Sequence, residues 1–333
     1  MYSISVNLND DDPDIKVREL ALDIPSLEPK LNVVSCCNGY FLLRDTDYRA
    51  VVWNPWLKQS RMIEAKENFR LCGIGYDSCS PERIYKIAGY TFCVGRPIAR
   101  KYSFYHHQDT STNKVKMVKE KKLKVIRPLR FVIYETATNS WRYLDDVQST
   151  AKSPGFCGSI DYNVSLNGNL YWTADNLETC FIRMLHCSKE ILKPFCILPC
   201  TKNDPNHKLG SHALTVFKGD RFSFLEECSE TRKIEIWVTK KKITNGDDGD
   251  DVVLIKFMSV AMPNFFYLRN EFTSYLVDDN INGKSFVMCC REKTKQACVY
   301  IVRGDMCRTI KIEKVVGELQ RCCVYVPSLI PIP

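Results

Sequence analysis

The sequence predicts an all-β protein, a kelch-like β-propeller built from five or six antiparallel four-stranded blades. Three observations lead to this fold class. Short apolar runs alternate with Gly, Pro, Asn and Asp along the 333 residues, whereas no apolar stripe of helical period extends beyond a few turns. Many of the runs are paired across tight turns. A strand–turn–strand pattern recurs at intervals of about 50 to 60 residues, which is typical of propeller blades.

The clearest unit lies at residues 37–63, where polar turns separate three apolar runs. The runs are Gly39–Leu43, Ala50–Trp53 and Arg61–Ile63. Asn54-Pro55 opens the second turn, because Asn suits the first position of a type I turn and Pro fixes the backbone angle of the next residue. We therefore predict an antiparallel meander of three strands, and the rest of the chain repeats this pattern with variations.

Other segments give equally local signals. Asn167-Gly168 is the strongest hairpin signal, because a tight primed turn needs positive φ at its central residues. All four residues of Phe131–Tyr134 are apolar or aromatic, so we expect both faces of that strand to be covered. Pairs of strands are predicted at Val164–Trp172, around Asn167-Gly168, and at Leu214–Leu225, with a bend at Lys218-Gly219-Asp220. Single strands are predicted at Tyr2–Leu8, Val33–Ser35, Leu71–Tyr76, Ile84–Ala88, Gly89–Arg100, Trp141–Leu144, Phe181–Leu185, Ile191–Leu198, Ile234–Val238, Val253–Val260, Phe272–Val277, Ser285–Cys290, Ala297–Val302, Thr309–Ile312 and Cys322–Val326.

The repeating pattern marks equivalent positions in successive blades. These positions are Trp53, Tyr134, Leu185, Trp237 and Tyr300. Because one blade is too small to bury its own faces, we expect the blades to stack around an axis in a single domain that spans residues 1–333. Pairing of the N-terminal strand with a late strand such as Cys322–Val326 would close the ring and remove an open edge.

A Lys-rich segment interrupts this pattern at residues 107–127. It holds six lysines and one arginine against one aspartate and one glutamate, so most of the net charge of +8 is local. We expect a mobile inserted loop, since its apolar content is too low for packing. Its run Lys114–Arg127 lacks interleaved aromatic residues for base stacking, which favours a solvated loop over a nucleic-acid site.

Seventeen cysteines imply a reducing compartment. The first residues are polar and acidic, unlike a signal peptide, and no apolar run approaches the length of a membrane span. We expect free thiols that act as small core residues, as at Cys289-Cys290 and Cys298. The predicted location is cytoplasmic, nuclear or both, without membrane association.

An ordered set of motifs resembles the F-box associated domain of plant F-box proteins. The pieces are CNGYFLL, VVWNPWLKQSRMI, GIGYD, FVIYETATNSWRYL, VSLNGNLYW, IEIWVTKK and IKFMSVAM, and they span roughly Tyr2 to Ile312. The resemblance implies a kelch-like β structure that presents a protein substrate for ubiquitination. It also implies an N-terminal F-box that binds the Skp-type adaptor of a cullin ubiquitin ligase.

The N-terminus departs from that family pattern. No Leu-Pro-x-Asp/Glu-Leu helix start lies near Met1, and Pro25 and Pro29 would break a helix between Leu20 and Leu31. We therefore expect the F-box to be missing. The link to the adaptor is then implied by the family and not carried by these residues.

Two sets of residues have the chemistry of metal ligands. The possible zinc ligands are Cys187, Cys196, Cys200, His207 and His212. Their spacings include no two-residue knuckle, which favours core or surface roles. The possible calcium ligands are Asp247, Asp248, Asp250 and Asp251. They lack the ligand order and distal glutamate of a calcium loop, so a solvated hairpin tip is favoured.

Catalytic and phosphate-binding patterns are equally weak. A thiol nucleophile would pair Cys157 or Cys228 with His106, His107 or His186, but chance pairings are expected among seventeen cysteines. Gly73-x-Gly75 has no third glycine, no lysine and no following helix, so a phosphate cradle is not indicated. The tryptophans are interpreted as blade-packing residues, with Trp56 exposed at a turn. They are Trp53, Trp56, Trp141, Trp172 and Trp237.

The function predicted from these observations is protein binding. The sequence identifies no catalytic, cofactor-binding or metal residues, and it does not indicate which residues bind the partner, which is an unknown protein substrate. An alternative is a propeller enzyme that acts on a small molecule in the central channel, although no converging set of titratable groups supports it. A truncated, non-functional relative of the family is the third hypothesis.

Overall fold

β-strands dominate the computed structural model. It describes residues 2–8, 14–20, 32–44, 49–64, 69–91, 130–144, 162–175, 179–199, 209–228, 233–244, 246, 249–261, 274–280, 283–291, 296–304, 306–316 and 327–332. In these residues the strands form five four-stranded sheets and one two-stranded sheet. The all-β propeller with four-stranded antiparallel blades is thus confirmed, with five such blades.

Each blade is a simple meander in which consecutive strands pair. Blade 1 holds β3 (Asn32–Cys37), β4 (Tyr40–Arg44), β5 (Ala50–Asn54) and β6 (Gln59–Ile63). Blade 2 holds β7 (Phe69–Tyr76), β8 (Tyr85–Thr91), β9 (Arg130–Glu135) and β10 (Ser140–Tyr143). Blade 3 holds β11 (Val164–Leu166), β12 (Asn169–Asp175), β13 (Cys180–His186) and β14 (Ile191–Ile197).

The remaining blades follow the same order. Blade 4 holds β15 (Leu209–Phe217), β16 (Arg221–Cys228), β17 (Lys233–Thr239) and β18 (Leu254–Ala261), with a 3₁₀ turn at Gly249–Asp251. Blade 5 holds β19 (Ser274–Asn280), β20 (Gly283–Arg291), β21 (Gln296–Arg303) and β22 (Met306–Val316). The two-stranded sheet is a hairpin of β1 (Tyr2–Asn7) and β2 (Asp14–Glu19).

Local turn chemistry sets the first hairpin of several blades. Asn167 and Gly168 have φ of 51° and 84°, the positive values that the sequence predicts for this turn. The same geometry occurs at Asn38-Gly39 between β3 and β4, with φ of 48° and 82°. Lys218-Gly219 repeats it between β15 and β16. These turns fix the register of the innermost strand pair in blades 1, 3 and 4.

The predicted repeat positions are equivalent in the structure. They lie on the third strand of blades 1 to 5 in order, at Trp53, Tyr134, Leu185, Trp237 and Tyr300. Equivalent positions recur because each blade presents the same pleat to its neighbours. The repeat period deduced from the sequence is therefore confirmed.

The apolar core lies between blades. Separate clusters join blade 1 to blade 2, blade 2 to blade 3, blade 3 to blade 4, and blade 4 to blade 5. Phe131 packs in the cluster shared with blade 3, whereas Tyr134 on the same strand packs in the cluster shared with blade 1. Both faces of Phe131–Tyr134 are covered, as predicted. No blade buries its faces without its neighbours.

The N-terminal hairpin covers the open face of blade 5. Leu8, Val6 and Val17 pack against its strands β20 to β22, and the Arg303 guanidinium donates a hydrogen bond to the Leu8 carbonyl. Leu20, just beyond β2, packs against blade 1. The hairpin therefore bridges the last blade and the first.

Some strand predictions differ from the structure or fall outside the described residues. The N-terminal strand pairs with β2, a partner that sequence analysis missed although Ile15 and Val17 alternate with charged residues. Gly89–Thr91 ends β8, whereas residues 92–100 lie outside the described part of the chain. The insertion at 107–127 and the strand Cys322–Val326 also lie outside it. Among the described residues, no helix is long and apolar enough to cross a membrane.

The two glycines of Gly73-x-Gly75 allow blades 2 and 3 to approach each other near the axis. A Cβ on Gly75 would overlap the Gly168 carbonyl oxygen and lie 2.7 Å from Cys187 Sγ. The Tyr76 amide donates to that same carbonyl at 2.9 Å. A Cβ on Gly73 would lie 2.7 Å from Asn163 Oδ1. The motif is therefore a packing device between blades.

We predict that Gly75→Ala lowers the free energy of unfolding by about 3 kcal/mol, because the new methyl group meets a backbone carbonyl that cannot rotate away. Gly283→Ala is the matched control. Its Cβ would meet nothing within 4 Å, although its φ of 96° is strained for alanine, and we expect a loss of only about 1 kcal/mol. Chemical denaturation of both variants measures the difference, and equal losses would contradict this packing role.

Candidate interaction surface

The antiparallel meanders give the ring two different faces. In every blade, the turns that join strands one to two and three to four lie on the same side, which we call the turn face. It includes the described residues 38–39, 55–58, 77–84, 136–139, 167–168, 187–190, 218–220, 240–244, 246 and 249–253. The other connections leave from the opposite side. The connections of the turn face are attached to buried strands, so their side chains are held on a rigid support.

Asn54 organises the turn face of blade 1. Its side chain is fully buried, and its Oδ1 accepts hydrogen bonds from the backbone amides of Trp56 and Leu57 at 3.1 and 3.2 Å. This side-chain capping fixes the turn between β5 and β6. Nδ2 of the same side chain donates to the carbonyls of Ser328 and Ile330 at 3.2 and 3.1 Å. One amide group therefore holds two separate segments in place.

The second segment is the C-terminal tail, residues 327–332. Tyr40 is also fully buried, and its hydroxyl donates to the carbonyls of Ile330 and Pro331 at 2.9 and 3.0 Å. Burial raises the pKa of Tyr40, with hydrogen bonds opposing this effect, so the hydroxyl keeps its proton and remains a donor. The Ile332 amide donates to Gln59 Oε1 at 3.1 Å, and Ile332 packs against the core between blades 1 and 2.

Three large apolar side chains project from this arrangement into solvent. Trp56 is 60% exposed, Leu329 is 74% exposed and Ile330 is 49% exposed. We call them the Trp56 patch. Contiguous exposed apolar side chains mark interaction sites, and aromatic residues are enriched in the energetic centres of protein interfaces. The patch is preorganised because Asn54 positions both the turn and the tail.

A charge cluster ties blade 2 to blade 3 on the same face. Lys86 is only 5% exposed, and its Nζ lies 2.6 Å from Glu190 Oε1 and 2.9 Å from the Cys187 carbonyl. Arg142 forms a close bidentate ion pair with Glu190, and Glu135 lies 3.7 Å from Arg142. Burial raises the pKa of Glu190, but hydrogen bonds from Arg142 and Lys86 outweigh it, so the pKa lies below its ordinary value.

Comparison with known proteins decides the family. The model of the F-box associated beta propeller domain matches residues 1–332. A putative F-box protein of Arabidopsis thaliana is 44% identical over 348 aligned residues, which cover 100% of this chain and 84% of that protein. Protein SUPPRESSOR OF NIM1 1 of Arabidopsis thaliana is 37% identical across 100% of this chain and 83% of its own length.

The chain belongs to the F-box associated β-propeller family.

The resemblance deduced from the motifs is thereby confirmed. F-box associated propellers are not a known class of enzymes, and the family belongs to plant F-box proteins. Among solved structures, the β-propeller domain of Vanderwaltozyma polyspora Nup133 is 11% identical, with a TM-score of 0.37 over 94% of this chain and 90% of that one.

The structure separates the possible zinc ligands. Cys187 lies in the turn after β13, whereas Cys196 pairs with Ile182 near the other end of that hairpin. Four residues along a strand span about 13 Å, so the two thiols belong to different places in this F-box associated propeller. His212 lies on β15 of blade 4, beside the Phe224 ring. Cys200 and His207 lie outside the described residues.

The remaining candidate sites of this propeller are also separated or undescribed. Asp250 and Asp251 are exposed in the 3₁₀ turn, next to Gly249, which packs against Phe195 of blade 3. His186 is buried at the end of β13, whereas Cys228 ends β16 in another blade. The other candidates lie outside the described residues: Cys157, His106, His107, Asp247, Asp248 and Lys114–Arg127.

Cysteine burial and tryptophan placement agree with the sequence analysis. The eleven cysteines whose side chains the structure describes are free thiols. Burial raises the pKa of Cys187 to about 12, as expected for a core thiol without nucleophilic character. Trp53 is buried on the face of blade 1 that Leu20 packs against, and Trp172 is buried between blades 2 and 3. The Trp141 indole donates to the Glu64 carbonyl at 2.7 Å. Trp56 alone of the five is mainly exposed.

We predict that Glu190→Gln lowers the free energy of unfolding at pH 7 by roughly 2 to 3 kcal/mol, since it leaves Lys86 buried without its carboxylate. This loss of stability is smaller than for a fully buried ion pair, because the Arg142 side chain contacts water. Because its pKa is lowered in the folded protein, the Glu190 carboxylate stabilises the fold at pH values above its ordinary pKa of 4.5. This stabilisation is lost as the pH falls through the folded-state pKa. The difference between wild type and variant should therefore shrink below pH 4.5.

Glu235→Gln is the control for this prediction. Glu235 also has a lowered pKa, because hydrogen bonds from Lys256 and Lys233 outweigh its partial burial, but both lysine side chains are nearly half exposed. We expect a loss of less than about 1 kcal/mol. Urea denaturation from pH 3 to pH 8 measures both variants. A Glu190→Gln loss that is small, or independent of pH, would contradict the proposed role of the cluster.

Proposed function

We propose that this chain is the protein-recognition module of a plant F-box protein, and that it binds a protein substrate on the turn face around the Trp56 patch. The observation that carries the proposal is the Trp56 patch itself, three exposed apolar side chains fixed to one buried asparagine. Family membership supports a role in protein binding within ubiquitin ligases. We infer that it acts without catalysis of its own, in the cytoplasm or the nucleus.

The geometry favours a protein partner over a small molecule. The three side chains of the patch are largely exposed to solvent, whereas small-molecule sites are concave and enclose their ligands. Near the axis, Asn163 donates to the Cys72 carbonyl and accepts from Ser35 Oγ at 3.0 Å. This contact joins the inner strands of blades 1 and 2 to residues at the start of blade 3, so side chains fill space there.

Recruitment of the ubiquitin ligase is a separate part of the proposal. A Skp-type adaptor grips the helical F-box, whereas residues 1–332 of this chain match the propeller domain and the described residues form strands. We therefore expect the 333-residue chain to bind its substrate without binding the adaptor.

The test is a paired pull-down with the purified 333-residue chain. In plant extract it should retain a protein that Trp56→Ala fails to retain, and purified Skp-type adaptor should not bind at micromolar concentration. Ile197→Ser is the matched control, because Ile197 is 71% exposed on the outer strand of blade 3. Equal capture by wild type and Trp56→Ala would overturn the assigned surface. Micromolar adaptor binding would overturn the expectation about recruitment.

A further inference from the structure

We propose that the side chains that hold the C-terminal tail form a peptide-binding site, which the tail occupies in competition with proline-containing segments of other proteins. The site consists of Tyr40, Asn54 and Gln59, and we call it the tail site. The segment that fits it has the pattern Ser-x-x-Pro followed by an aliphatic residue, where x is any residue. The inference concerns the surface that residues 327–332 cover, so it does not depend on a substrate at the Trp56 patch.

The tail site binds backbone carbonyls of the tail. Asn54 Nδ2 donates to the Ser328 and Ile330 carbonyls at 3.2 and 3.1 Å. The Tyr40 hydroxyl donates to the Ile330 and Pro331 carbonyls at 2.9 and 3.0 Å. Both donor side chains are fully buried, so the fold fixes their positions. These four bonds select the order of the carbonyls, and a segment from another protein that presents the same order can replace the tail.

Proline suits the fourth position of the pattern because the neighbouring donors need carbonyls and not N–H groups. Pro331 offers a carbonyl but no N–H, so it leaves no backbone donor unsatisfied. It also restricts the backbone of Ile330, which lowers the entropy that such a segment loses when it binds. Tyr40 stacks edge-on to Tyr85 with centroids 5.0 Å apart. Proline-containing segments are commonly recognised on surfaces built from aromatic side chains.

Two side chains of the tail define the ends of the pattern. Ser328 is buried, and its Oγ accepts from the Ile330 amide at 3.2 Å, which holds the bend of the tail. Ile332 packs against the core between blades 1 and 2, and its amide donates to Gln59. Between these ends, Leu329 and Ile330 point into solvent. Their positions in a bound segment therefore accept any residue.

The tail competes strongly with a free segment because it belongs to the same chain. Residues 317–326 connect it to β22, and such a short connection gives it an effective concentration of about 1 mM. A free segment that takes the tail site also moves Leu329 and Ile330 away from Trp56. The Trp56 patch and a bound proline segment therefore exclude each other.

The experiment measures binding of a fluorescent peptide with the sequence of residues 327–332, PSLIPI, to the folded 333-residue chain by fluorescence anisotropy. Ile332→Ser removes the side chain that anchors the tail, so this variant should bind the peptide about tenfold more tightly than wild type. Leu329→Ser is the matched control on the same tail. Because Leu329 is mainly exposed, this variant should bind the peptide within about twofold of wild type.

Peptide variants test the pattern on the Ile332→Ser chain. Peptides with Pro331→Ala or Ile332→Ser should bind at least about fivefold more weakly. A peptide with both Leu329→Ser and Ile330→Ser should bind within about threefold of the original. Adding Tyr40→Phe to the Ile332→Ser chain should weaken binding about tenfold, because it removes the donor of two hydrogen bonds.

The opposite results would overturn the proposal. A peptide that fails to bind the Ile332→Ser chain at millimolar concentration, or binds it no more tightly than wild type, would show that the tail does not block a peptide site. Equal binding of all peptide variants would show adsorption without a pattern. A wild-type dimer that Ile332→Ser dissociates would identify the tail of a second copy as the occupant.

The extract pull-down tests the exclusion between the two surfaces separately. Saturating PSLIPI peptide should reduce the capture that depends on Trp56, and unchanged capture would overturn the exclusion. The anisotropy measurements use no extract. A chain that binds the peptide but captures no substrate would therefore contradict the proposed function and leave the tail site in place.

Discussion

Closure of the ring is the constraint on which the rest of this structure depends. A row of five blades buries four interfaces and leaves an apolar face open at each end, which would be a site of aggregation. The N-terminal hairpin covers blade 5 with Leu8, Val6 and Val17. The C-terminal tail is fixed to blade 1 through Asn54 and Tyr40. The hairpin therefore completes the ring, whereas Ile332 of the tail packs against the core between blades 1 and 2.

Attachment of the C-terminal tail to blade 1 creates the candidate recognition surface. Asn54 uses its oxygen to shape the turn that carries Trp56 and its nitrogen to bind the tail that carries Leu329 and Ile330. The turn and the tail are already ordered in the folded protein, so their conformational entropy is not lost again when a partner binds. A loop surface of equal size would lose affinity through its own ordering. This coupling explains how three exposed apolar side chains are held ready for a partner.

The sequence predicts most of the fold because propeller blades depend on local signals. Short apolar runs, Asn-Gly turns and a repeated position on the third strand are properties of a few residues at a time, and the structure has them at Asn167-Gly168 and Trp237. Sequence analysis missed strand β2 because its charged residues are typical of a turn. The signal for a strand is the alternation of Ile15 and Val17 with those charged residues. The sequence predicts that the N-terminal strand closes the ring by pairing with a late strand, whereas in the structure this strand pairs with β2 and the hairpin packs on the face of blade 5.

The candidate site also combines features that the sequence predicts with features that depend on the folded structure. Exposure of Trp56 follows from its place in a turn, and the structure confirms it. Nothing in the sequence links that turn to Leu329, because their proximity depends on which backbone carbonyls reach Asn54. Gly73-x-Gly75 is the opposite case. The sequence assigns no role to this motif, whereas the structure shows that it allows two blades to pack closely. Its missing side chains make room for Gly168 and Asn163 of the neighbouring blade.

Site-specific photo-crosslinking tests the central claim most directly. A benzoylphenylalanine residue is placed at the position of Lys58, beside the Trp56 patch, or at the position of Ile197, on the outer edge of blade 3. Each protein is irradiated with the substrate that the propeller retains, and adducts are mapped by mass spectrometry. The account predicts adducts from position 58 and none from position 197. Adducts from position 197 alone would contradict it.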